Sequence, residues 1–211
     1  MSYTTQQHSV INGVYVGPEK WSGELNLNVY AHEITSLGNL REVSGQLNVA
    51  GCNNLISLGE LTFVGGSLNL NRCEKLSNLG KLHTVGVSNI STTSVPSNWS
   101  IDLDGCHSLI SLSNLTKVVG ALNVYSCKNL VDIGKMRFVG GRFTISSLNL
   151  SPIDEGLSPT DRVDIIRDRI TYFQSLPIQE ALNAIHSDEV RCTPLYLNTL
   201  TNKLQGHNTP L

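Results

Sequence analysis

The sequence predicts an α+β protein, a right-handed β-solenoid of 21-residue coils with a helical cap at its C-terminal end. Leu and Asn dominate the composition, with 29 and 20 of the 211 residues. A 21-residue unit recurs through residues 23–150, and helical apolar spacing replaces it from residue 151 onward. Because repeats of this length are typical of stacked coils, we divide the chain into an N-terminal cap (1–22), a solenoid (23–150) and a helical cap (151–211).

The repeat is visible as a fixed register of units. One extra residue is present in the first unit, a short interruption follows the third, and the sixth unit is partial. Five matching units at constant spacing predict coils that stack with equivalent positions aligned. The units begin at Gly23, Gly45, Gly66, Trp99, Gly120 and Gly141.

Each unit combines two apolar spacings. The first two apolar residues of a unit are two positions apart, which indicates a strand with alternating faces. The following apolar residues are three positions apart, and this spacing fits extended or 3₁₀-like corners better than the 3.6-residue period of an α-helix. We therefore expect one strand per coil and a continuous inward ladder. In the second unit the inward residues are Leu47, Val49, Cys52, Leu55, Leu58, Leu61 and Val64.

The stretch LNVAGCNNLISL resembles the core of leucine-rich repeats, in which apolar residues bracket a Cys or Asn. The paired glycines in FVGGSLNL and FVGGRFTI are more similar to repeats of receptor L-domains than to the helical horseshoe type. The resemblance covers about residues 23 to 150. It implies a parallel sheet on one side of the solenoid, which in that family is used for binding.

An interruption of the repeat lies at residues 87–98. Cys73 and Cys106 occupy the same repeat position but are 33 residues apart, one period plus twelve. Twelve residues are too few for a full coil, so the segment is either a tight half-size coil or a loop that leaves the stack. Both a tolerated deletion and a functional notch are consistent with its composition.

The two termini carry different signals. Asn12-Gly13 between β-prone residues predicts a short hairpin over the first coil. Ser158-Pro159 is a typical helix start, and Val163, Ile166, Ile170 and Phe173 then follow at helical spacing. Two further helices are predicted after Pro177, and we expect the three to cover the apolar end of the solenoid.

Four of the five cysteines share one repeat position that points inward. A disulfide framework requires an oxidising compartment, and the spacing matches no CxxC metal motif. We therefore expect buried free thiols that hydrogen-bond weakly to the adjoining backbone. They are Cys52, Cys73, Cys106 and Cys127.

The outward positions of the strands are candidates for partner contacts. A column of Asn and Asp runs between the two inward residues of each strand, and stacked amides of this kind also reinforce a sheet. The predicted binding residues on this face are Gln46, Asn48, Asn69, Asn71, Asp102, Asp104, Asn123, Tyr125, Arg142 and Thr144, with Trp99, Arg167 and Arg169 as a second contact.

Catalytic patterns are weak. The six histidines are dispersed, and Cys106 beside His107 is read as a packed thiol rather than a Cys-His dyad. Asp102 and Asp104 lie about 7 Å apart on one face, a separation that glycosidases use, and they define a minor alternative of an enzyme acting on polysaccharide. No P-loop or HExxH motif is present, so no cofactor or metal is expected.

Charge and hydropathy favour a protein as the partner. The formal charge of −2 and pI near 6.3 argue against nucleic acid, and no apolar run reaches the roughly 18 residues of a membrane span. The start of the chain lacks a secretory signal, which predicts the cytoplasm, or the host cytoplasm if the chain is viral.

We therefore expect a non-enzymatic protein-binding module. A bacterial or bacteriophage effector or inhibitor that sequesters a host protein fits this pattern. The alternative is a structural subunit of a virion or surface assembly, with homo-oligomers formed through the C-terminal helices.

Overall fold

A computed structural model describes residues 8–86, 99–130, 132–145 and 148–150, together with Thr160, Val163, Asp164 and Arg167. Their backbone forms a short 3₁₀ turn at Asn28–Tyr30 and a series of very short strands. In chain order the strands are β1 (Ser9–Ile11), β2 (Val14–Val16), β3 (Lys20–Trp21), β4 (Leu25–Asn26), β5 (Glu42–Val43), β6 (Leu47–Asn48), β7 (Phe63–Val64), β8 (Leu68–Asn69), β9 (Thr84–Val85), β10 (Trp99–Asp102), β11 (Lys117–Val118), β12 (Ala121–Asn123), β13 (Phe138–Val139), β14 (Phe143–Ile145) and β15 (Leu148–Leu150).

The strands stack into a β-solenoid of about five coils, as the repeat predicts. The first sheet has the order β15-β14-β12-β10-β8-β6-β4, and neighbouring strands from β4 to β14 are parallel. Leu47 lies in register with Leu25 on one side and Leu68 on the other. Equivalent residues of successive units therefore occupy equivalent places in successive coils. At the far end β15 pairs antiparallel with β14, so the chain reverses direction there.

A second parallel sheet accompanies the first, although the sequence predicts one sheet. Its order is β13-β11-β9-β7-β5-β3, and each coil contributes two residues, such as Phe63 and Val64. The inward residue of each pair was recognised in the apolar ladder, but a two-residue strand shows no alternation, so the step-of-three pattern was interpreted as a corner. The expectation of one strand per coil was wrong for this reason.

A third side of each coil is held by single bridges rather than by strands. Ser36 pairs in parallel with Val14 and with Ser57, and Ser111 pairs with Asn78 and Asp132. Each coil thus has three sides: the first sheet, a bridged third side, and the second sheet.

The interior is the predicted ladder. The seven inward side chains of the second unit are each at most 1% exposed, and one hydrophobic cluster runs from Tyr15 at the hairpin to Phe143 in the last parallel strand. Burial of each aliphatic side chain stabilises the fold by roughly 1.5–3 kcal/mol. Each coil adds similar contacts to its neighbours, so the core is continuous along the axis.

Tight turns on the third side depend on one left-handed residue per coil. Ser57 Oγ accepts a hydrogen bond of 2.9 Å from the Gly59 amide, and Gly59 has φ +58°. A Cβ at Gly59 would collide with the carbonyl oxygen of Gly38 in the coil below. Ser113 holds the same slot in the fourth coil with φ +53°, which glycine adopts at lower cost.

The interruption adds no coil to either sheet. β8 pairs directly with β10, and β9 pairs directly with β11. No strand therefore lies between them in either sheet, and the choice between a half-size coil and a loop stays a prediction. Residues 87–98 themselves lie outside the described residues.

The N-terminal hairpin is confirmed. β1 and β2 pair antiparallel around Asn12 (φ +51°) and Gly13 (φ +79°), the positive pair that a tight hairpin turn requires. Tyr15 is 1% exposed and packs into the core.

The predicted helices of residues 151–211 fall almost entirely outside the described residues. Thr160, Val163, Asp164 and Arg167 have helical backbone, but the structure delimits no helix. Val163 is fully buried in the core cluster, and Arg167 Nη2 donates a 2.6 Å hydrogen bond to the Met136 carbonyl. The three-helix cap remains a prediction.

Candidate protein-interaction face

The predicted contact residues lie on the outer face of the first sheet, between the ladders of inward side chains. Three columns form this face, and the middle one contains the repeated Asn or Asp of each strand. Its members are Asn26, Asn48, Asn69, Asp102, Asn123 and Thr144.

The side chains of the middle column accept hydrogen bonds from the backbone of their own coils. Asn48 Oδ1 accepts from the Ala50 amide at 3.1 Å, which fixes the turn where the strand ends. The same bond, to the amide two residues ahead, forms at Asn26, Asn69, Asp102 and Asn123 at 3.0–3.1 Å. These side chains therefore shape each coil, which the sequence interpretation missed by considering bonds between stacked amides only.

Burial along the middle column is uneven. Asn26 is exposed, Asn48 and Asn69 are half-buried, and Asn123 is only 7% exposed. Asn123 Nδ2 donates 2.9 Å to Asp102 Oδ1 on the neighbouring strand, the lateral bond that a polar ladder predicts. Asn123 was predicted to contact a partner, but its burial makes it a support for Asp102.

The two aspartates share an acidic spot in the fourth coil. Burial raises the pKa of the Asp102 carboxyl above its usual range, against the lowering effect of hydrogen bonds from the Asp104 amide and the Asn123 and Asn71 side chains. The like charge of Asp104 raises the Asp102 pKa further. Asp104 Oδ1 is itself buried without a hydrogen-bond partner in the structure. The two neighbouring carboxyl groups therefore give this part of the face an acidic character.

The flanking columns present the more accessible groups. Tyr125 is 54% exposed, and Gln46 and Arg142 are exposed, whereas Asn71 and Thr144 are half-buried. Tyr125 and Arg142 come from adjacent coils near the C-terminal end of the face. The structure thus places the aromatic and cationic candidates on the same half of the sheet as Asp104.

The second predicted contact is not assembled by the described residues. Trp99 begins β10, but its side chain is outside the described part, as is Arg169. Arg167 is half-buried, bonds to Met136 and lies 3.5 Å from Asp164. The hydrogen bond to the Met136 carbonyl connects Arg167 to the fifth coil.

The four repeat cysteines are free and buried, as predicted. The thiols of Cys73, Cys106 and Cys127 donate to carbonyls of the preceding coil at 3.2–3.3 Å. Burial raises the pKa of Cys52 to about 11 and that of Cys106 to about 12, so neither is a thiolate near neutral pH. A protonated, buried Cys106 cannot serve as the nucleophile of a dyad with His107.

Two features are absent from the described residues. Among the described residues, no group of three or more His, Cys, Asp or Glu side chains is placed to hold a metal ion. Within the same part of the chain, no helix has the length and apolar character of a membrane span.

Comparisons with known protein families, with curated proteins and with solved structures found no match for this chain.

The outer face of the second sheet is a surface that the sequence analysis did not identify. Lys20 and Glu42 of adjacent strands form a salt bridge of 2.9 Å across this face, and Lys81 and Glu60 form one of 2.6 Å on the segments that lead into β9 and β7. Near the other end Lys117 Nζ lies 5.4 Å from the centroid of the Phe138 ring. An offset of one coil between oppositely charged residues, 22 residues for Lys20 and Glu42 and 21 for Glu60 and Lys81, is the sequence signal that would have revealed these cross-coil pairs.

Proposed function

We propose that the protein is a non-enzymatic binding module, leucine-rich-repeat-like in use, that holds another protein on the outer face of its first sheet. The observation that carries the proposal is Tyr125, a large aromatic side chain that is 54% exposed on an otherwise flat, regular surface. Tyr and Arg are the residues most often found at the energetic centre of protein interfaces. Arg142 on the next coil supplies the second such group.

The scaffold favours binding because it is already ordered. Parallel pairing fixes the strands around Tyr125, and Asn123 Oδ1 holds the Tyr125 amide at 3.0 Å. A surface whose backbone is set before contact loses little conformational entropy on binding. The Asp102 and Asp104 carboxyl groups give the same region a preference for a partner that offers an N–H or cationic group.

The choice of a protein over other ligands follows from charge. The face carries the Asp102 and Asp104 carboxylates, Glu24 at its N-terminal end and one cation, Arg142, and its other described residues are uncharged. A polyanion would require clustered cations, which this face lacks among its described residues. An effector or inhibitor that sequesters a host protein in the cytoplasm is the form of this function that we favour.

The proposal also includes a capping role for the C-terminal segment. Buried Val163 and the Arg167 bond to Met136 support a helical cap over the fifth coil. Without such a cap, the apolar end of the solenoid would associate with other chains.

The test is affinity co-purification from host cells with quantitative mass spectrometry. A protein that is enriched by the wild-type chain should be lost with the double variant Tyr125→Ala and Arg142→Glu, since both changes remove accessible groups from the face. Glu24→Ala is the matched control, because Glu24 is exposed in the column of Arg142 at the opposite end of the sheet. Equal enrichment by wild type and double variant would overturn the assignment of this face.

A further inference from the structure

Exposed apolar side chains cluster on the third side of the solenoid. Seven large apolar residues are exposed among the described residues, and five of them belong to this side or to the hairpin that extends it. We call these five the apolar stripe: Ile11 (55% exposed), Val14 (38%), Val16 (47%), Ile56 (57%) and Ile110 (52%).

Backbone pairing places the stripe in one plane. Val14 bridges Ser36, so β2 continues the third side by one row, and Ile11 lies opposite Val14 in the hairpin. The Ile56 amide donates to the Thr35 carbonyl at 2.9 Å, and the Thr35 amide donates to Gly13, which places Ile56 two rows above the hairpin. Ile110 holds the same register two coils further along, above Ser77.

The rest of this side is uncharged over most of its length. Between the stripe residues lie small hydroxyl and amide side chains, namely Thr35, Ser36, Ser57, Ser77, Asn78 and Ser111. Asp132 in the fifth coil is the one charged residue in the described columns of this side. Charged residues stand along its two edges instead, including Glu33, Glu60, Lys75, Lys81 and Lys135. An apolar strip with a charged rim is typical of an interaction site.

The dimensions of the apolar stripe fit a single α-helix better than a second copy of this chain. Six rows, from β1 to Ile110, at about 4.8 Å each and a width of about 10 Å give roughly 300 Å², well under the roughly 800 Å² per partner that a stable dimer buries. A single α-helix, about 10 Å across, matches the width. Val14, Ile56 and Ile110 recur every two rows, or about 9.6 Å, close to the roughly 10.5 Å that a helix rises in seven residues.

Charge along the axis gives the helix a direction. Residues 8–66 carry five acidic and two basic residues, a net charge of −3. The solenoid residues from 67 to 145 carry four acidic and eight basic residues, a net charge of +4. A helix is positive at its N-terminus and negative at its C-terminus, so its N-terminus would lie toward the hairpin.

We propose that the apolar stripe is a docking site for one amphipathic α-helix of a partner protein, with apolar residues at seven-residue spacing and its N-terminus toward the hairpin. The stripe is a different side of the coil from the first sheet. The two sites can therefore be occupied independently.

A display library of helical peptides of about three heptads tests the proposal directly. Peptides enriched by the wild-type chain should carry apolar residues every seven positions, with basic residues favoured in the first heptad and acidic residues in the last. Their affinity should fall at least tenfold for the double variant Ile56→Asp and Ile110→Asp. Val29→Asp is the matched control: Val29 is 73% exposed but lies outside the stripe, so affinity should stay within about twofold.

Three outcomes would overturn the proposal: no helical peptide is enriched, enriched peptides bind the double variant as tightly as wild type, or the chain alone sediments as a dimer that Ile56→Asp and Ile110→Asp dissociate. The last result would assign the stripe to a second copy. Circular dichroism of the double variant verifies its fold. The double variant Tyr125→Ala and Arg142→Glu should leave peptide affinity unchanged. The peptide experiment can therefore refute the stripe proposal without affecting the proposal for the first-sheet face.

Discussion

The side-chain amide of Asn123 donates a hydrogen bond of 2.9 Å to Oδ1 of Asp102, one coil earlier in the first sheet. Asp102 occupies a slot that holds Asn in the coils on both sides. The fourth coil therefore introduces a charge into a column that otherwise carries neutral amides, and burial makes that charge unfavourable.

Replacement of Asp102 by Asn should stabilise the protein near neutral pH by on the order of 1 kcal/mol, because the amide keeps the acceptor and removes the buried charge. The raised pKa of Asp102 favours its protonated form in the folded state. The stabilisation that Asp102 contributes to the folded state is therefore fully present below about pH 4, where the carboxyl of the unfolded chain is also protonated. This stabilisation is lost as the pH rises through the pKa of Asp102 in the folded state.

Urea denaturation at several pH values measures this effect. Asp102→Asn should flatten the decline of the free energy of unfolding above about pH 4. Asp132→Asn is the control, because Asp132 is exposed and accepts the equivalent turn bond from Gly134 at 2.8 Å. An unchanged slope in Asp102→Asn would contradict the assignment.

The thiols of the cysteine ladder should resist modification in the folded protein. Their burial and raised pKa values leave almost no thiolate at about pH 8. In a Cys192→Ser background, a colorimetric thiol reagent should label none of Cys52, Cys73, Cys106 and Cys127 within minutes and all four after unfolding in guanidinium. Rapid labelling of one ladder thiol without denaturant would show that its coil opens locally.

The left-handed turn slot predicts a stabilising substitution. Ser113→Gly should raise the free energy of unfolding by about 0.5–1 kcal/mol, since glycine accepts φ +53° without a steric penalty. Gly59→Ala should lower it by about 2 kcal/mol or more, because the added methyl group meets the Gly38 carbonyl. Chemical denaturation of both variants checks the pair, and changes of the same sign would refute the common explanation.

Val163 connects the C-terminal segment to the core. Val163→Asp should destabilise the protein by about 2–4 kcal/mol, because a carboxylate would enter an apolar, fully buried position. Asp164→Ala, at the exposed neighbour, should change stability by no more than about 0.5 kcal/mol. If Val163→Asp unfolds at the same urea concentration as wild type, the segment does not contribute to the cap.

The inward ladder could be predicted from the sequence, whereas the outer surfaces could be predicted only in part. Buried positions such as Leu58 and Val64 are apolar in all five units, and an inward position shared by every coil explains this. Asn48 is ambiguous from sequence, since an amide can bond its own backbone, a neighbouring amide or a partner. The first of these alternatives operates, and the alignment of units could not distinguish it from the others.

The stripe residues illustrate a different difficulty. Ile56 and Ile110 directly follow inward Leu residues, so each resembles an ordinary core residue in a short apolar pair. Only the coil geometry shows that the second residue of the pair turns outward. Ile56 and Ile110 occupy equivalent positions in the sequence repeat, but the bridges along the third side are needed to show that they lie on one surface.

β8 pairs directly with β10, and β9 pairs directly with β11, on either side of residues 87–98. The connection between Val85 and Trp99 is therefore a suitable position for inserting a foreign sequence. Leu68 and Ile101 lie in register although the connection carries twelve more residues than in the other coils, and the pairing of β10 with β12 shifts its register only between Trp99 and Ile101. Foreign peptides, tags or reporter domains placed at this corner should be displayed beside the sheets without disturbing them. The solenoid can thus be engineered as a presentation scaffold by changing one connection while every coil keeps its partners.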